Sequence, residues 1–242
     1  MNHKRPYLST SALKAFAKSP NHYIQYVNRA FEPTPAMELG SAIHCRVLEP
    51  KEWDARYIEA PKVDRRTKAG KADWEEFIEA AGERTVLTFE QMRLVEAAHA
   101  AVWSDRLAAD LLEAAQAFEQ MSETQIEGVP YRGVADAIGP DFIVDLKTTT
   151  DASADAFTRQ AYNLMYHEQA AAYREIFDRP RFFFITVETV EPFNTQVFIQ
   201  DERSYQMASN HLHSLVKRWK DWNGEPQTYS NEIQTLQLPK WV

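Results

Sequence analysis

The sequence predicts an α/β (α+β) fold in which a central mixed β-sheet is flanked by helices and preceded by a helical region. Two observations on the order of elements support this prediction. Helical periodicity dominates residues 1–115, whereas alternating and apolar runs typical of strands begin near Phe118 and are separated by further helical segments. Hydrophobic residues make up 44% of the 242 residues, which is ample for the core of one domain spanning residues 1–242.

Six helices are expected in the N-terminal part, residues 1–115, from apolar periodicity and capping residues. They are Ser9–Lys18, Pro20–Val27, Met37–Leu48, Ala72–Ala81, Phe89–Trp103 and Asp105–Ala115. Ser19 followed by Pro20 combines a capping side chain with a proline at the first helical position, where its missing N–H costs nothing.

His44 lies on the third of these helices, next to Ile43 on an apolar stripe. Gly40, Ser41 and Ala42 are small, so another group can approach this helix closely. A lone histidine near an apolar face is more often a core residue than a ligand. The residues alone therefore leave both interpretations of His44 open.

The segment Gly133–Lys147 is predicted to form a β-hairpin. Gly139–Asp141 contains the turn residues, because proline fixes φ and glycine tolerates a positive φ. The flanking segments, Val134–Ile138 and Phe142–Leu146, are apolar and partly β-branched, as strands require.

Strand alternation brings two acids and a lysine of this hairpin together. Side chains alternate faces along a strand, so Asp145 and Lys147 point the same way. If Ile138 pairs with Ile143, Asp136 lies opposite Asp145. Two carboxylates this close repel each other unless one takes up a proton or a cation lies beside them.

The pattern therefore predicts a magnesium site that serves phosphodiester hydrolysis. Mg²⁺ prefers oxygen ligands, keeps several waters, and lowers the pKa of a bound water. Lys147 would orient that water or stabilise the charge that develops on the phosphate. The alternative is an exposed acid–lysine pair on a surface hairpin, which contributes little. Acids inside apolar strands favour the metal site.

Two helices are predicted after the hairpin, Ser153–Asn163 and Met165–Phe177. Gln169 and Tyr173 are four residues apart and share a face of the second helix, which Tyr166 extends. This face would lie near the substrate backbone. The alternative is that the tyrosines are core aromatics and that Gln169 is solvated.

A strand pair, Arg181–Glu188 and Thr195–Ile199, and a long helix, Asp201–Trp222, complete a predicted catalytic core of residues 116–222. The remaining residues, 223–242, are expected to form an irregular tail. Four of its side chains are available to pack against the core or a neighbour: Tyr229, Leu236, Leu238 and Trp241.

The order of these residues resembles the PD-(D/E)XK nuclease superfamily in its RecB-type branch, and in particular the exonuclease VIII-like exodeoxyribonucleases of phages and prophages. The resemblance spans about residues 7–184. It rests on His44 in a small-residue helix, on Asp136, and on the segments Tyr7–Lys14, Ser19–Tyr23, Val144–Thr149 and Tyr166–Tyr173.

The resemblance implies a restriction-endonuclease-like core and a role for each matching residue. The implied metal ligands are Asp136, Asp145, the carbonyl of Leu146 and, as a further ligand or a neighbour of the metal, His44. Lys147 would position the attacking water. Gln169 and Tyr173 would fill the Q-x-x-x-Y motif and steady the hairpin or the DNA strand. Glu123 is a possible counterpart of a glutamate that the superfamily often carries before the first aspartate.

The resemblance also implies an activity and its partners. It implies an exodeoxyribonuclease that uses Mg²⁺, with Mn²⁺ as a substitute, on the ends of linear double-stranded DNA, 5′ to 3′, in phage-type recombination. A ring-shaped homo-oligomer and a single-strand annealing protein are implied by analogy. Two alternatives stay open: an endonuclease or the nuclease module of a helicase complex, and an inactive DNA-binding or assembly protein. The retained acids and lysine disfavour the last.

Composition narrows these possibilities. Cys45 is the only cysteine, which excludes an iron–sulfur cluster held by several cysteines, zinc fingers and disulfide frameworks. A lone cysteine suits the reducing cytoplasm of a bacterial host, whether the chain is encoded by the host or by a phage. No apolar run reaches the length of a membrane span, and no apolar segment typical of a secretion signal follows the start.

The net charge of −8 excludes a general basic DNA coat, although local charge can oppose the global sign. One dense basic segment, Lys62–Lys71, precedes a helix and is expected to contact DNA phosphate; the alternative is a solvated loop. Its cations are Lys62, Arg65, Arg66, Lys68 and Lys71. Other cations that could add to this patch are Lys14, Lys18 and Arg29.

Overall fold

The computed structural model describes residues 3–30, 32–227, 233 and 235 of the chain. The tail residues expected to pack, Tyr229, Leu236, Leu238 and Trp241, lie outside the described residues. Across the described ranges the chain forms ten α-helices and seven strands. No helix among them combines the length and the apolar character that a bilayer-spanning segment needs.

The helices are α1 (Thr10–Lys18), α2 (Pro20–Asn28), α3 (Pro35–Leu48), α4 (Trp53–Arg56), α5 (Lys68–Ala81), α6 (Phe89–Ser104), α7 (Arg106–Glu113), α8 (Ala154–Asn163), α9 (Tyr166–Phe177) and α10 (Glu202–Asp221). The strands are β1 (Tyr57–Glu59), β2 (Thr85–Leu87), β3 (Ala117–Ile126), β4 (Val129–Ile138), β5 (Phe142–Thr149), β6 (Arg181–Glu188) and β7 (Thr195–Ile199).

Side-chain caps set most helix starts. Ser19 accepts a hydrogen bond from the backbone N–H of His22 at the start of α2, so the predicted cap before Pro20 is confirmed. Thr67 caps α5 in the same way, and this helix therefore begins at Lys68, four residues before the predicted start. Short α4, β1 and β2 were not predicted, because three- and four-residue elements lack a readable period.

The main sheet has the strand order β3-β4-β5-β6-β7 and is mixed. β5 and β6 pair in parallel, with α8 and α9 forming the crossover that parallel strands require. The other neighbours are antiparallel. Ile138 pairs with Ile143, so the register predicted for the hairpin is confirmed. The predicted fold class, a central mixed sheet flanked by helices, is confirmed as well.

The sheet separates two apolar clusters. On one face, Ile143 and Phe182 pack among residues of α1, α9 and α10, including Leu212 and Trp219. On the other face, Val144 packs among residues of α3, α6 and α7. Each fully buried large side chain contributes roughly 1.5–3 kcal/mol. Because consecutive residues of β5 belong to opposite clusters, β5 is held rigidly from both sides.

His213 on α10 joins three elements of the first face. Its Nδ1 lies 2.7 Å from Glu127 in the β3–β4 turn, and its Nε2 lies 2.9 Å from Glu175 on α9. Burial lowers the pKa of His213, but the hydrogen bonds to the two carboxylates outweigh this effect and raise the pKa overall. The imidazolium form is therefore the one that the fold favours.

We expect His213→Gln to lower the free energy of unfolding by about 0.5–1 kcal/mol at pH 6 and to leave it nearly unchanged at pH 8.5. The pKa is raised by folding, so the contribution is present below the unfolded pKa and is lost as the pH rises through the folded pKa. Urea unfolding at both pH values measures this difference. His22→Gln, which removes an exposed histidine bound to the Ser19 hydroxyl, is the matched control. An equal loss of unfolding free energy at both pH values would contradict a stabilising role of the charged His213 between Glu127 and Glu175.

Candidate active site

Three acids stand in one row across three adjacent strands. Phe118 pairs with Ala137 and Gln120 pairs with Ala135, so Glu119 stands opposite Asp136 between them. The paired residues of β4 and β5 end at Ala137 and Val144. If the same register is continued by one residue, Asp136 lies opposite Asp145. The sheet therefore gathers carboxylates from β3, β4 and β5 at one level.

The row coincides with a break in the backbone ladder. The β3–β4 pairing continues on both sides of Glu119 and Asp136 but omits that pair. Glu119 has a φ of +47°, a left-handed conformation that costs a non-glycine residue about 1–3 kcal/mol. Asp136 Oδ2 accepts a hydrogen bond of 2.7 Å from the Leu146 N–H, so a side chain takes the place of a ladder carbonyl.

The break also changes which residues of β4 face α9. Tyr131 and Ala135 belong to the cluster on the α9 side, Ala137 belongs to the opposite cluster, and Ile138 returns to the α9 side. The alternation therefore shifts by one residue at Asp136. Such a local twist re-aims side chains at the end of a sheet. It turns the Asp136 carboxylate towards α3.

α3 supplies His44 to this carboxylate. His44 Nδ1 lies 3.5 Å from Asp136 Oδ2. Possible ligand atoms of His44, Glu119 and Asp136 all lie within 4.8 Å of one another. α3 lies close to β5 here, since a Cβ on Gly40 would be in ordinary contact with Thr148 Oγ1 at 3.4 Å. His44 and Asp136 thus meet as predicted, although the two residues are far apart in sequence.

Asp145 and Lys147 form the inner part of the site. Asp145 is only 2% exposed, and its Oδ2 lies 2.5 Å from Lys147 Nζ. The contact is an ion pair without hydrogen-bond alignment, and this buried oxygen has no other partner among the described residues. Burial lowers the pKa of Lys147, but the charges of Asp145 and Asp136 outweigh burial and raise the pKa overall. Lys147 is therefore a protonated ammonium that donates hydrogen bonds and does not serve as a general base.

α9 braces this pair from the first face of the sheet. Gln169 Nε2 donates a 2.6 Å hydrogen bond to Asp145 Oδ1. Tyr173, which is 9% exposed, interacts with Gln169 and with the Val134 backbone. Its ring needs a glycine beneath it, because a Cβ on Gly133 would lie 2.7 Å from Tyr173 Cε1. Gln169 thus binds a hairpin acid directly, whereas Tyr173 contacts Gln169 and the hairpin backbone and is at the same time a core aromatic.

The donor atoms of the row fit a divalent cation. Burial raises the pKa of Glu119 to about 7, and the charges of Asp136 and Glu49 add to the rise. Burial also raises the pKa of Asp145, with Lys147 opposing and Asp136 adding to the rise. At Asp145 the effect of burial outweighs the charge of Lys147, its ion-pair partner, so the carboxylates are short of positive charge. Carboxylate oxygens with one imidazole suit Mg²⁺ or Mn²⁺.

The site opens to solvent through a cavity of about 560 Å³ that His44, Glu119 and Lys147 line. Glu49 and Arg56 lie on the same cavity, and Arg56 binds both carboxylate oxygens of Glu49 at 2.7 and 3.0 Å. Arg56 thus offsets the negative charge of Glu49 beside the three carboxylates.

Glu119 is the site residue that the sequence reading missed. Glu123, the proposed upstream glutamate, lies four residues farther along β3 and binds Arg132 at 3.0 Å. The sequence does contain a pattern that identifies Glu119. Glu127 and Gly128 form a two-residue turn, and Ile126 pairs with Val129 across it. Counting back from that turn places Glu119, and not Glu123, opposite Asp136.

The remaining predicted residues are not joined to this site by any described contact. Arg66 binds its neighbour Asp64 at 3.0 Å, and Arg65 lies 4.5 Å from the centroid of the Trp74 ring. Lys68 and Lys71 lie in the first turn of α5, and neither lines the cavity of the acids. Their contact with DNA stays a prediction, as does the role of the Leu146 carbonyl.

Comparison with known proteins assigns the fold to a family. The model of a PDDEXK-like domain of unknown function, DUF3799, matches residues 9–237. No curated protein matches the chain. Among solved structures, a "Putative exonuclease" from Eubacterium rectale is similar at a TM-score of 0.62 and 17% identity, covering 88% of this chain and 79% of its own. This likeness supports the fold alone.

A second solved structure, a phage related exonuclease from Haemophilus somnus 129PT, aligns over 74% of this chain and 92% of its own. Its identity to the chain is 13% and its TM-score is 0.37. The family match by itself confirms the resemblance to the PD-(D/E)XK superfamily.

We expect the affinity for Mg²⁺ to rise at least about tenfold between pH 6 and pH 8, because a carboxylate with a pKa of about 7 must lose its proton to bind a cation. Calorimetry in two buffers of different ionisation enthalpy counts the protons released. Glu119→Gln should bind more weakly and release fewer protons.

Glu123→Gln distinguishes the two candidate glutamates of β3, since Glu123 is engaged by Arg132. It should keep the wild-type pH dependence. If Glu123→Gln rather than Glu119→Gln lost the proton release, the assignment of the row to Glu119 would be wrong.

Proposed function

We propose that this chain, which belongs to the DUF3799 family of PDDEXK-like domains, is a divalent-metal-dependent deoxyribonuclease that hydrolyses phosphodiester bonds. One observation carries the proposal: Glu119, Asp136 and Asp145 lie at one level of the sheet, where His44 comes within ligand distance of the first two and Lys147 pairs with the third. This arrangement serves phosphoryl transfer, in which charge must be neutralised and a water positioned.

His44, Glu119, Asp136 and Asp145 would hold the cation, with the Leu146 carbonyl as a further oxygen. When bound, the ion supplies Lewis acidity to the phosphate and to the water beside it. Without it, the carboxylates repel both one another and a phosphate, so substrate binding and metal binding are coupled.

Lys147 is the residue that acts on the reacting atoms. As an ammonium with three donors, it can orient the attacking water and stabilise the charge developing on the phosphate oxygens. Its stem is fixed because Nζ lies 2.5 Å from Asp145 and 4.7 Å from the centroid of the Tyr166 ring. Gln169, supported by Tyr173, holds the Asp145 carboxylate in position, and Asp145 in turn fixes the position of the Lys147 ammonium.

The proposal extends to the kind of substrate. We propose linear double-stranded DNA ends, cut 5′ to 3′ with Mg²⁺ or Mn²⁺, in phage-type recombination inside the cytoplasm of a bacterial host. The Eubacterium rectale structure of similar fold is that of a "Putative exonuclease", and we extend that activity to this chain only as part of the proposal. A ring of identical chains and a single-strand annealing protein complete the proposal. The basic segment with Arg65, Arg66, Lys68 and Lys71 would contact duplex phosphate.

An endonuclease, or the nuclease module of a helicase complex, is the second candidate on the same site. Nothing in the row of acids distinguishes attack near an end from attack within a duplex. An inactive DNA-binding or assembly protein is disfavoured, because Asp136, Asp145 and Lys147 are all present. Asp145 pairs with Lys147, and Asp136 binds the backbone N–H between them, that of Leu146.

We expect the protein with Mg²⁺ to degrade linear duplex DNA and to leave covalently closed circles intact. A duplex labelled at each end in turn reports the polarity. Lys147→Ala should lower the cleavage rate by about a hundredfold or more, because loss of one hydrogen-bond donor that stabilises transition-state charge costs about 10²–10³ in rate.

Lys51→Ala removes a lysine of the short turn before α4 and serves as the matched control for loss of one positive charge. Cleavage of closed circles would favour the endonuclease. Intact linear duplex with wild-type protein, Mg²⁺ and Mn²⁺ would overturn the proposed activity altogether.

A further inference from the structure

A second feature of the molecule is a groove that leads away from Lys147. The cavity beside the acids and a neighbouring cavity of about 720 Å³ share Lys147. That neighbour shares Lys14 and Tyr26 with a third cavity of about 450 Å³ over α1 and α2. We call the second and third cavities together the α1–α2 groove.

The charge of this groove is opposite to that of the whole protein. Its lining contains six cations: Arg5, Lys14, Lys18, Arg29, Arg132 and Lys147. No aspartate or glutamate is among the described residues that line it. The net charge of the whole chain is −8, so the positive charge of this surface is opposite in sign to the charge of the protein as a whole.

Four of these cations have no acidic partner among the described residues, and one of the four, Arg5, donates a 2.9 Å hydrogen bond to the Val27 carbonyl. Lys14, Lys18 and Arg29 form no salt bridge with any described residue, unlike Arg66 of the basic segment, which is held by Asp64. Burial, and then the nearby charges of Lys18 and Lys147, lower the pKa of Lys14. The cations thus repel one another across the groove, and an anionic chain would relieve that repulsion.

Aromatic rings alternate with the cations along the same groove. The Tyr7 ring lies 4.1 Å from the Arg132 guanidinium carbon, and the Tyr26 ring lies 5.9 Å from those of both Arg5 and Arg29. Both tyrosines are half-buried. Rings set between cations are the surface on which successive unpaired bases stack while the cations follow the phosphates.

We propose that the α1–α2 groove carries an unpaired DNA strand to or from Lys147, with its bases stacked on Tyr7 and Tyr26 and its phosphates bound by Lys14, Lys18 and Arg29. This inference rests on the proposed function and adds a separate binding surface to it. Paired bases would be hidden from the rings, so the enzyme separates the strands next to the scissile bond.

Binding without hydrolysis tests the path of the strand. Fluorescence anisotropy with a labelled oligothymidylate in EDTA compares K14Q/K18Q/R29Q with wild type. The triple variant should bind at least about tenfold more weakly, and the slope of log Kd against log salt should fall by about 2, since each single-strand phosphate contact contributes about 0.7.

The matched control is K51Q/R106Q/R203Q, which removes the same charge from exposed positions outside the groove lining. It should bind like wild type. If both triple variants weakened binding equally, the strand would not run through the α1–α2 groove.

An abasic strand of the same length tests stacking, because it keeps the phosphates and lacks the bases. It should bind wild type at least about fivefold more weakly than oligothymidylate, and Tyr26→Leu should bring this ratio towards one. Equal binding of the two strands by wild type would overturn the unpaired-strand assignment and leave a groove for duplex backbone.

The hydrolysis assay separates this proposal from the proposed function. Lys147-dependent cleavage together with unaltered strand binding by the groove variant would refute the groove alone. Wild-type protein that neither binds the strand nor cuts duplex would refute the nuclease itself, and the groove with it.

Discussion

Repulsion among Glu119, Asp136 and Asp145 is the interaction on which the rest of the site depends. The three carboxylates lie at one level of a sheet, the innermost is nearly without solvent contact, and the pKa values of Glu119 and Asp145 are raised by burial and by the neighbouring negative charges. The protein places one half-buried ammonium, that of Lys147, and one imidazole, that of His44, beside these carboxylates, which leaves negative charge in excess. Because negative charge exceeds positive charge at the three carboxylates, we interpret the site as a cation-binding site and not as a structural ion-pair network.

The fold tolerates this repulsion because two apolar clusters hold the hairpin from both sides. α9 braces Asp145 through Gln169, and α3 brings His44 to Asp136 from the opposite face. Between them the β3–β4 ladder gives up one pair, and Glu119 adopts a left-handed backbone. Strain of this kind persists only where the surrounding structure over-determines it, and a rigid sheet with helices on both faces provides that support.

Charge is divided between the site and its surroundings. The acids that give the chain its net charge of −8 are absent from the lining of the α1–α2 groove among the described residues, whereas the centre itself is acidic. A polyanion can therefore be held along the groove while the repulsive centre is neutralised by a cation. Binding and chemistry thus rest on separate surfaces that meet at Lys147, which lines both.

The sequence by itself determined what depends on local contacts. The turn at Gly139–Asp141, the register of Ile138 with Ile143 and the shared face of Asp145 and Lys147 follow from strand alternation. Helix starts follow from caps and prolines, which act over three or four residues. The family resemblance then singled out His44, Gln169 and Tyr173, which spacing alone left ambiguous.

Only the tertiary structure decided which distant segments meet. Glu119 lies 17 positions before Asp136 and became visible only through the β3–β4 register, and its left-handed backbone has no local signal. The α1–α2 groove joins residues of the first 30 positions to β4 and α9, and it exists only because both clusters pack as they do. The dense basic segment, the strongest charge signal in the sequence, lines neither the site nor the groove, and two of its cations, Arg65 and Arg66, contact nearby residues instead.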